Sequence, residues 1–436
     1  MPKARNLAKL PGFRDFPPEE LAFRNFLFES WRRVSRRYGF LEYDGPPLEP
    51  LELYTQKSGD EIVGQLYDFV DKGDRHVALR PEMTPSLARI LGERSKALPK
   101  PIRWFSVPQL FRYERQQRGR LREHFQWNVD LVGEEGVEAD AEVLAVALAG
   151  LRELGLGPSD VRARVSDRVL LSAVLESAGV PPEALGRAFA VVDKIEREPA
   201  DRTLARLRDP AEVGVTEGEA RRILDLFAAP GLDAVAAAFS GSTAVVERAG
   251  EVWRFLAILD DLGFAEYVEF DLSIVRGLAY YTGIVFEIFD RKGEFRAICG
   301  GGRYDRLLEL VGGDPLPAVG FGMGDVVVGE ILHERGLAPP YARHTDYFIV
   351  SVDEAQAPLA RKIGGALRAE GHTVLYPLKN QSVRKQFSAA ATEGAREVII
   401  LGPEEVGRGV AVIRNMESGG EREVALRQLE EAKPGG

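Results

Sequence analysis

Arg112, Arg115, Arg118, Arg120 and Arg122 fall within the eleven residues Arg112-Tyr-Glu-Arg-Gln-Gln-Arg-Gly-Arg-Leu-Arg122, and His124-Phe-Gln-Trp-Asn-Val-Asp130 follows at once. The chain as a whole is acidic, with a net charge of -10, so this cationic stretch is a local device. Guanidinium groups on a turn can fold over phosphates, and one on a strand can hold a single oxygen rigidly. Glu114 lies two residues from Arg112, on the same face if the segment is a strand. A cation beside an anion suits a nucleotide better than a bare phosphate. A solvated hairpin tip would carry the same composition. The alternation that follows ends in a lone carboxylate, Asp130, as on a strand that presents one specific contact. The stretch reads as a nucleotide site joined to a small-molecule pocket.

Four more segments carry similar chemistry. Arg276-Gly-Leu-Ala-Tyr-Tyr-Thr-Gly283 can place a cation and phenol hydroxyls where the backbone is tight. Gly300-Gly-Gly-Arg-Tyr-Asp305 is a glycine run before an expected helix; it can receive an anion or serve only strand-to-helix packing. Val319-Gly-Phe-Gly-Met-Gly324 alternates glycines along a strand, which usually means that another surface approaches closely. Leu79-Arg-Pro-Glu-Met-Thr84 sets a carboxylate and a hydroxyl two residues apart, a grip for an ammonium group.

The elements that must position these residues follow from periodicity. Leu21, Phe23, Phe26, Leu27, Trp31 and Val34 predict an amphipathic helix over 18–38, ended by Gly39. Residues 66–70 and 76–79 predict a hairpin across Asp71-Lys-Gly-Asp74, and Thr84 to Leu91 a helix. Residues 102–114 and 123–132 read as two antiparallel strands around the arginine loop, and 138–154 as a helix. From Ser166 to Leu262 the composition turns to Ala, Leu, Arg and Glu with helical spacing, which marks a helical insertion. Strands are expected again at 267–272, 284–289 and 295–298, then a helix at 304–311. Leu337-Ala-Pro-Pro-Tyr341 suits a linker. Beyond it, strand and helix alternate over 347–401 in a βαβαβ order, which predicts a small domain on a mainly parallel sheet.

The length of 436 residues predicts two or three domains. The acidic balance argues against broad non-specific nucleic-acid binding, though an acidic protein can carry a basic stripe. A single cysteine, Cys299, excludes an intrachain disulfide and a cysteine-cluster zinc site. No apolar run approaches the roughly 18 residues of a membrane helix, and the start lacks a signal-peptide core. A cytoplasmic protein with no membrane contact is the expectation.

Taken in this order, the segments resemble the class II histidyl-tRNA synthetases over nearly the whole chain. Leu10-Pro-Gly-Phe-Arg-Asp15 resembles the family's N-terminal signature, and Tyr38-Gly-Phe40 through Pro46 its motif 1, the dimer interface. Phe111-Arg-Tyr-Glu114 through Gln126 resembles motif 2. Arg276-Gly-Leu-Ala-Tyr-Tyr281 is similar to the histidine-specific signature, and Gly301-Gly-Arg-Tyr-Asp305 to its companion. Lys379-Asn-Gln-Ser-Val-Arg-Lys-Gln-Phe387 with Gly394-Ala-Arg396 resembles the anticodon-binding domain. The resemblance implies an α+β fold: an antiparallel-sheet catalytic domain over 1–335 with 166–262 inserted, and a C-terminal α/β anticodon-binding domain over 343–436.

It also implies a site and its ligands. Glu82, Thr84 and Gln126 would hold the ammonium group of L-histidine. Asp130 and Tyr281 would bind the imidazole, with Tyr280 beside them. Arg112 and Arg276 would contact the carboxylate and α-phosphate during attack. Glu114, Arg120, Arg122, His124 and Arg303 would join Arg112 around ATP, with Mg2+ on its pyrophosphate oxygens. The partners implied are tRNA(His) and a second copy of the chain in a homodimer. Three positions depart from the family pattern: Ala279 replaces an acid, His124 stands where a ring stacks on adenine, and Val327 replaces an arginine. Either Arg303 or the loop arginines hold the nucleotide instead, or adenylation is impaired. A non-catalytic, synthetase-like regulatory subunit that senses histidine is the alternative reading.

Overall fold

Pro18–Arg37 forms the first helix, with proline at its start, Glu19 and Glu20 in the first turn, and Arg36 and Arg37 in the last. Each of these favours the local backbone or its dipole, and Gly39 at φ +75° ends the run. The buried stripe Leu27, Phe28, Trp31 and Val34 faces inward. Trp31 stacks on Trp127 with ring centroids 5.8 Å apart, and the Trp127 indole N–H donates to Ser35 Oγ at 2.9 Å. Burying one such ring contributes on the order of 3 kcal/mol.

The computed structural model describes residues 8–55, 64–115, 117–228, 231–275 and 281–431, in two units divided between Pro339 and Pro340. In the first unit the strands are β1 Leu41–Glu42, β2 Leu48–Pro50, β3 Tyr67–Val70, β4 His76–Leu79, β5 Ile102–Ser106 and β6 Gln109–Phe111. They continue with β7 Glu123–Val132, β8 Val161–Asp167, β9 Val268–Phe270, β10 Ile284–Asp290, β11 Cys299–Arg303 and β12 Ala318–Gly324. The main sheet runs β1-β5-β7-β12-β11-β10-β8-β9, with β6 also pairing to β7. Its central pairs are antiparallel; β1 with β5 and β8 with β9 are parallel. A second sheet, β2-β4-β3, contains the expected hairpin.

The pleat divides the main sheet into two faces. Trp127, Val129 and Leu131 of β7 pair with Met323, Phe321 and Val319 of β12 and turn into the core beneath the helix Val137–Glu153. Gln126, Asn128 and Asp130 pair with Gly324, Gly322 and Gly320 on the other face. After β8, the described residues from Arg168 to Asp261 form six α-helices and a 3-10 turn. The composition shift at Ser166 precedes the first of them by two residues, because Ser166 and Asp167 still pair with Val285 and Ile284.

Two expectations in this unit change. The glycine run is itself strand: β11 is Cys299–Arg303, and 295–298 precedes it without strand pairing. A strand buried on both sides tolerates glycine where neighbouring side chains fill the space. The expected helix at 304–311 contracts to a 3-10 turn, Leu307–Val311.

The second unit has strands β13 Thr345–Ser351, β14 Val374–Leu375, β15 Ala395–Leu401, β16 Val410–Asn415 and β17 Glu421–Ala425, in the order β14-β13-β15-β16-β17. β13 lies parallel to β14 and β15, but β15-β16-β17 is antiparallel, so the sheet is mixed rather than mainly parallel. The last two strands form a hairpin turned by Asn415, whose side chain accepts from the N–H groups of Glu417 at 3.0 Å and Ser418 at 2.8 Å.

Candidate active site

Gly320 and Gly322 of β12, with Gly302 of β11, leave part of the sheet bare. A Cβ on Gly322 would stand 2.7 Å from the Gln126 amide carbon, and one on Gly302 3.0 Å from Tyr281 Cδ1. Those alternating glycines do mark close approach, and what approaches is the set of polar side chains expected to hold an amino acid. Asp130 lies at the inner end, 5% exposed. The Tyr304 hydroxyl donates to it, and the Tyr281 and Tyr304 rings lie 6.4 Å apart.

Burial pushes the Asp130 carboxyl up to about 7, a rise that the Tyr304 hydrogen bond partly offsets. This acid therefore changes charge near neutrality, protonated below that pH and a carboxylate above it. If the carboxylate accepts a ring N–H from a bound imidazole, affinity should strengthen as pH rises from 6 to 8. Histidine titrations across that range check this, and Asp130→Asn should leave only the pH dependence of the ligand itself.

Toward the other end of β7 the side chains become cationic. Arg112 donates from Nε to the Pro81 carbonyl at 2.9 Å and from its backbone N–H to Arg122 at 2.9 Å, which sets it beside Glu82. Burial raises the Glu82 carboxyl, and the charge of Arg112 pulls it partly back. Thr84 opens the helix Thr84–Arg94, half-buried. His124 is held down to about 3, first by burial and then by the charges of Arg112, Arg14 and Arg120. Its ring is therefore neutral near pH 7, with three guanidinium charges acting on it.

Several side chains sit differently from expectation. Beyond Phe111 the chain leaves strand geometry, so Arg112 and Glu114 do not share a pleat. The buried Glu114 carboxylate pairs with Arg120 instead. Arg122 donates from Nε to the Glu114 carbonyl at 3.2 Å and lies 4.2 Å over the Tyr113 ring. Arg118 pairs with Glu334 at 3.0 Å and Glu330 at 3.5 Å. These contacts fold the loop onto the helix Asp325–Glu334.

Arg303 is the clearest correction. On β11 it pairs with Val319, on the core face, away from Asp130. Its Nε and Nη2 bind Asp140 at 3.0 and 2.7 Å, Nη1 the Glu134 carbonyl at 2.9 Å and Asp305 at 3.3 Å, and Nη2 the Gly136 carbonyl at 3.0 Å. All five N–H donors are committed, which leaves none for ATP. Val327 is buried on its helix, and a Cβ on Gly119 of the arginine loop would lie 3.2 Å from its Cγ2. Position 327 thus packs against the loop. Arg276 and Tyr280 lie outside the described residues.

Two residues were missed. Arg14 bridges Glu123 at 2.7 Å and Asp325 at 2.9 Å beside His124; only its place in the N-terminal signature hinted at it. Tyr304 was legible, since alternation along Gly302, Arg303 and Tyr304 puts its ring on the glycine face.

Comparisons with known proteins place the chain in a family. The family model described as histidyl-tRNA synthetase matches residues 12–324, and one described as anticodon binding domain matches 346–432. The chain is 43% identical over 425 residues to the histidine–tRNA ligase of Opitutus terrae, covering 97% of this chain and 96% of that protein. It is 41% identical over 419 residues to the chloroplastic/mitochondrial histidine–tRNA ligase of Arabidopsis thaliana, covering 96% and 85%. The solved histidyl-tRNA synthetase of a Nostoc species shares the fold, with a TM-score of 0.80 at 24% identity over 98% of this chain and 99% of that one. By its sequence along almost its full length, this chain belongs to the histidyl-tRNA synthetase family.

Proposed function

We propose that the chain is a histidine–tRNA ligase, joining L-histidine to ATP as histidyl-adenylate and then to the terminal ribose of tRNA(His). The observation that carries this is the order of side chains along one face of β7. Asp130, Gln126 and His124 follow one another from a buried acid–phenol pair to a cluster of guanidinium groups. At about 3.3 Å per residue this line is about 20 Å long. It accepts an amino acid at one end and a nucleotide at the other.

In this reading Glu82, Thr84 and Gln126 hold the ammonium group, while Asp130, Tyr281 and Tyr280 read the ring. An acid at one ring nitrogen and a phenol at the other reject side chains without polar atoms on both edges. A competitor leaves buried groups unpaired, which discriminates by about 10⁴-fold without editing. The histidine carboxylate attacks the α-phosphorus and pyrophosphate leaves; no proton is transferred, so no base is needed. Alignment and positive charge on the phosphoryl oxygens suffice, and Arg112 and Arg276 supply both. In the second step a ribose hydroxyl attacks the carbonyl, AMP departs, and the hydroxyl proton passes to the phosphate of the departing AMP.

Arg120, Arg122 and His124 line the nucleotide end, with Arg14 behind them. Among the described residues no group of three His, Cys, Asp or Glu side chains could hold a metal ion. Mg2+ enters on the triphosphate, as part of the substrate, keeping several waters. The second unit, with Lys379, Arg384, Lys385 and Arg396, contacts the tRNA, and this contact weakens steeply with salt. A homodimer in the cytoplasm completes the reading. Among the described residues no helix is long and apolar enough to cross a membrane.

Histidine-dependent exchange of labelled pyrophosphate into ATP is the test. Exchange is expected, at a rate that saturates with histidine. Folded protein that binds histidine without exchange would leave the regulatory-subunit reading in its place.

A further inference from the structure

Residues 303–305 send three side chains three ways. Arg303 passes to the core face and binds Asp140, which is wholly buried on the helix Val137–Glu153. Tyr304 turns up to Asp130. Asp305 accepts from the Thr282 hydroxyl at 2.7 Å, while its own backbone N–H donates to Thr282 Oγ1 at 3.1 Å. Arg303 meets Asp305 again at 3.3 Å and accepts the Thr282 N–H on its carbonyl at 2.8 Å. Thr282 is the residue after Tyr281.

The far side of Thr282 is held as tightly. A Cβ on Gly283 would lie 3.1 Å from Arg303 Cδ and 3.6 Å from Arg248 Nη2. The Gly283 carbonyl accepts from Arg168 N at 2.9 Å, and Arg248 is itself bound to buried Asp167 at 2.8 and 2.6 Å. Both phenols of the ring pocket therefore hang on one hydrogen-bonded frame below the sheet. Such a network, when every member is satisfied, fixes a geometry more than it adds stability.

We propose that Arg303, Asp305 and Thr282 are positioning residues that hold Tyr281 and Tyr304 at the spacing an imidazole requires, without touching the ligand. This deepens the ligase reading and rests on it for the identity of the ligand. Selectivity for the ring is then set in part by a guanidinium on the opposite face of the sheet.

The test compares Thr282→Val, Asp305→Asn and the double variant with the unaltered chain. KM for histidine in pyrophosphate exchange should rise about 10-fold in each single variant, from the loss or weakening of the half-buried Thr282–Asp305 hydrogen bond beside the two phenols. KM for ATP should stay within about twofold, because the nucleotide end is held by other residues. The double variant should fall well short of the product of the two single effects, since Asp305 and Thr282 share one hydrogen bond in the frame. Thr282→Ser, which keeps the hydroxyl, should restore the original value. Calorimetric histidine binding by the same variants reads the frame without turnover. Parallel rises in both KM values, multiplying effects in the double variant, or unaltered histidine affinity would overturn the proposal. Absence of exchange in the unaltered chain would instead reject the ligase reading.

Discussion

Arg112→Ala should lower histidine-dependent pyrophosphate exchange by about 10²-fold or more, while equilibrium histidine binding falls much less. The asymmetry is the point of the experiment. With Nε bound to the Pro81 carbonyl, the plane of this guanidinium is set before any ligand arrives, so its remaining donors need no reordering. A charge fixed in this way acts most where negative charge grows, on the phosphoryl oxygens as pyrophosphate departs. Arg112→Lys should recover little, because an ammonium group on a flexible stem lacks the planar fork. Arg112→Ala also removes one of the charges that hold His124 down, so the imidazole should titrate at higher pH, as an NMR titration would detect. Equal losses of binding and exchange would assign Arg112 to ordinary ligand holding.

Asp130→Ala should weaken histidine binding by about 2–5 kcal/mol, the usual cost of truncating one partner of a buried, hydrogen-bonded charged contact. Part of that loss comes from Tyr304, whose hydroxyl loses its bond to Asp130. Asp130→Asn keeps an acceptor and should cost less. Calorimetry with histidine above pH 7 gives the clearest reading, since there the native side chain is ionised. An unaltered dissociation constant would remove Asp130 from the pocket.

Much of this site was legible because strand alternation is a strong code. The period of two along His124, Gln126, Asn128 and Asp130 puts them on one face, and alternating glycines at 320 and 322 identify the surface they cover. The same code, applied one strand further, would have turned Arg303 away from the ligand. What misled was charge: an arginine in a glycine-rich motif invites a phosphate, and only the tertiary partner Asp140 shows that its donors are spent. Glu114 failed for a related reason. Its pairing with Arg120 depends on the path of the chain after Phe111, which propensity does not specify. The mixed sheet of the second unit was missed because the strand–helix alternation ends at Leu401, and the antiparallel β16 and β17 lie beyond it. Arg14 had the least signal of all, since its partners Glu123 and Asp325 are distant along the chain.

The place of β7 in the sheet has a bearing on how the protein is made. Its neighbours are β5, which precedes it closely, and β12, which begins at Ala318. A nascent chain leaving the ribosome can zip the first pair early, yet the glycine floor arrives only after the whole insertion has been translated. Until then the hydrophobic side of β7 lacks its Phe321 and Met323 cover. Such long-range pairing is slow and leaves an unpaired strand edge exposed meanwhile. The inserted helices between Arg168 and Asp261 thus separate the two halves of the central sheet in the order of synthesis.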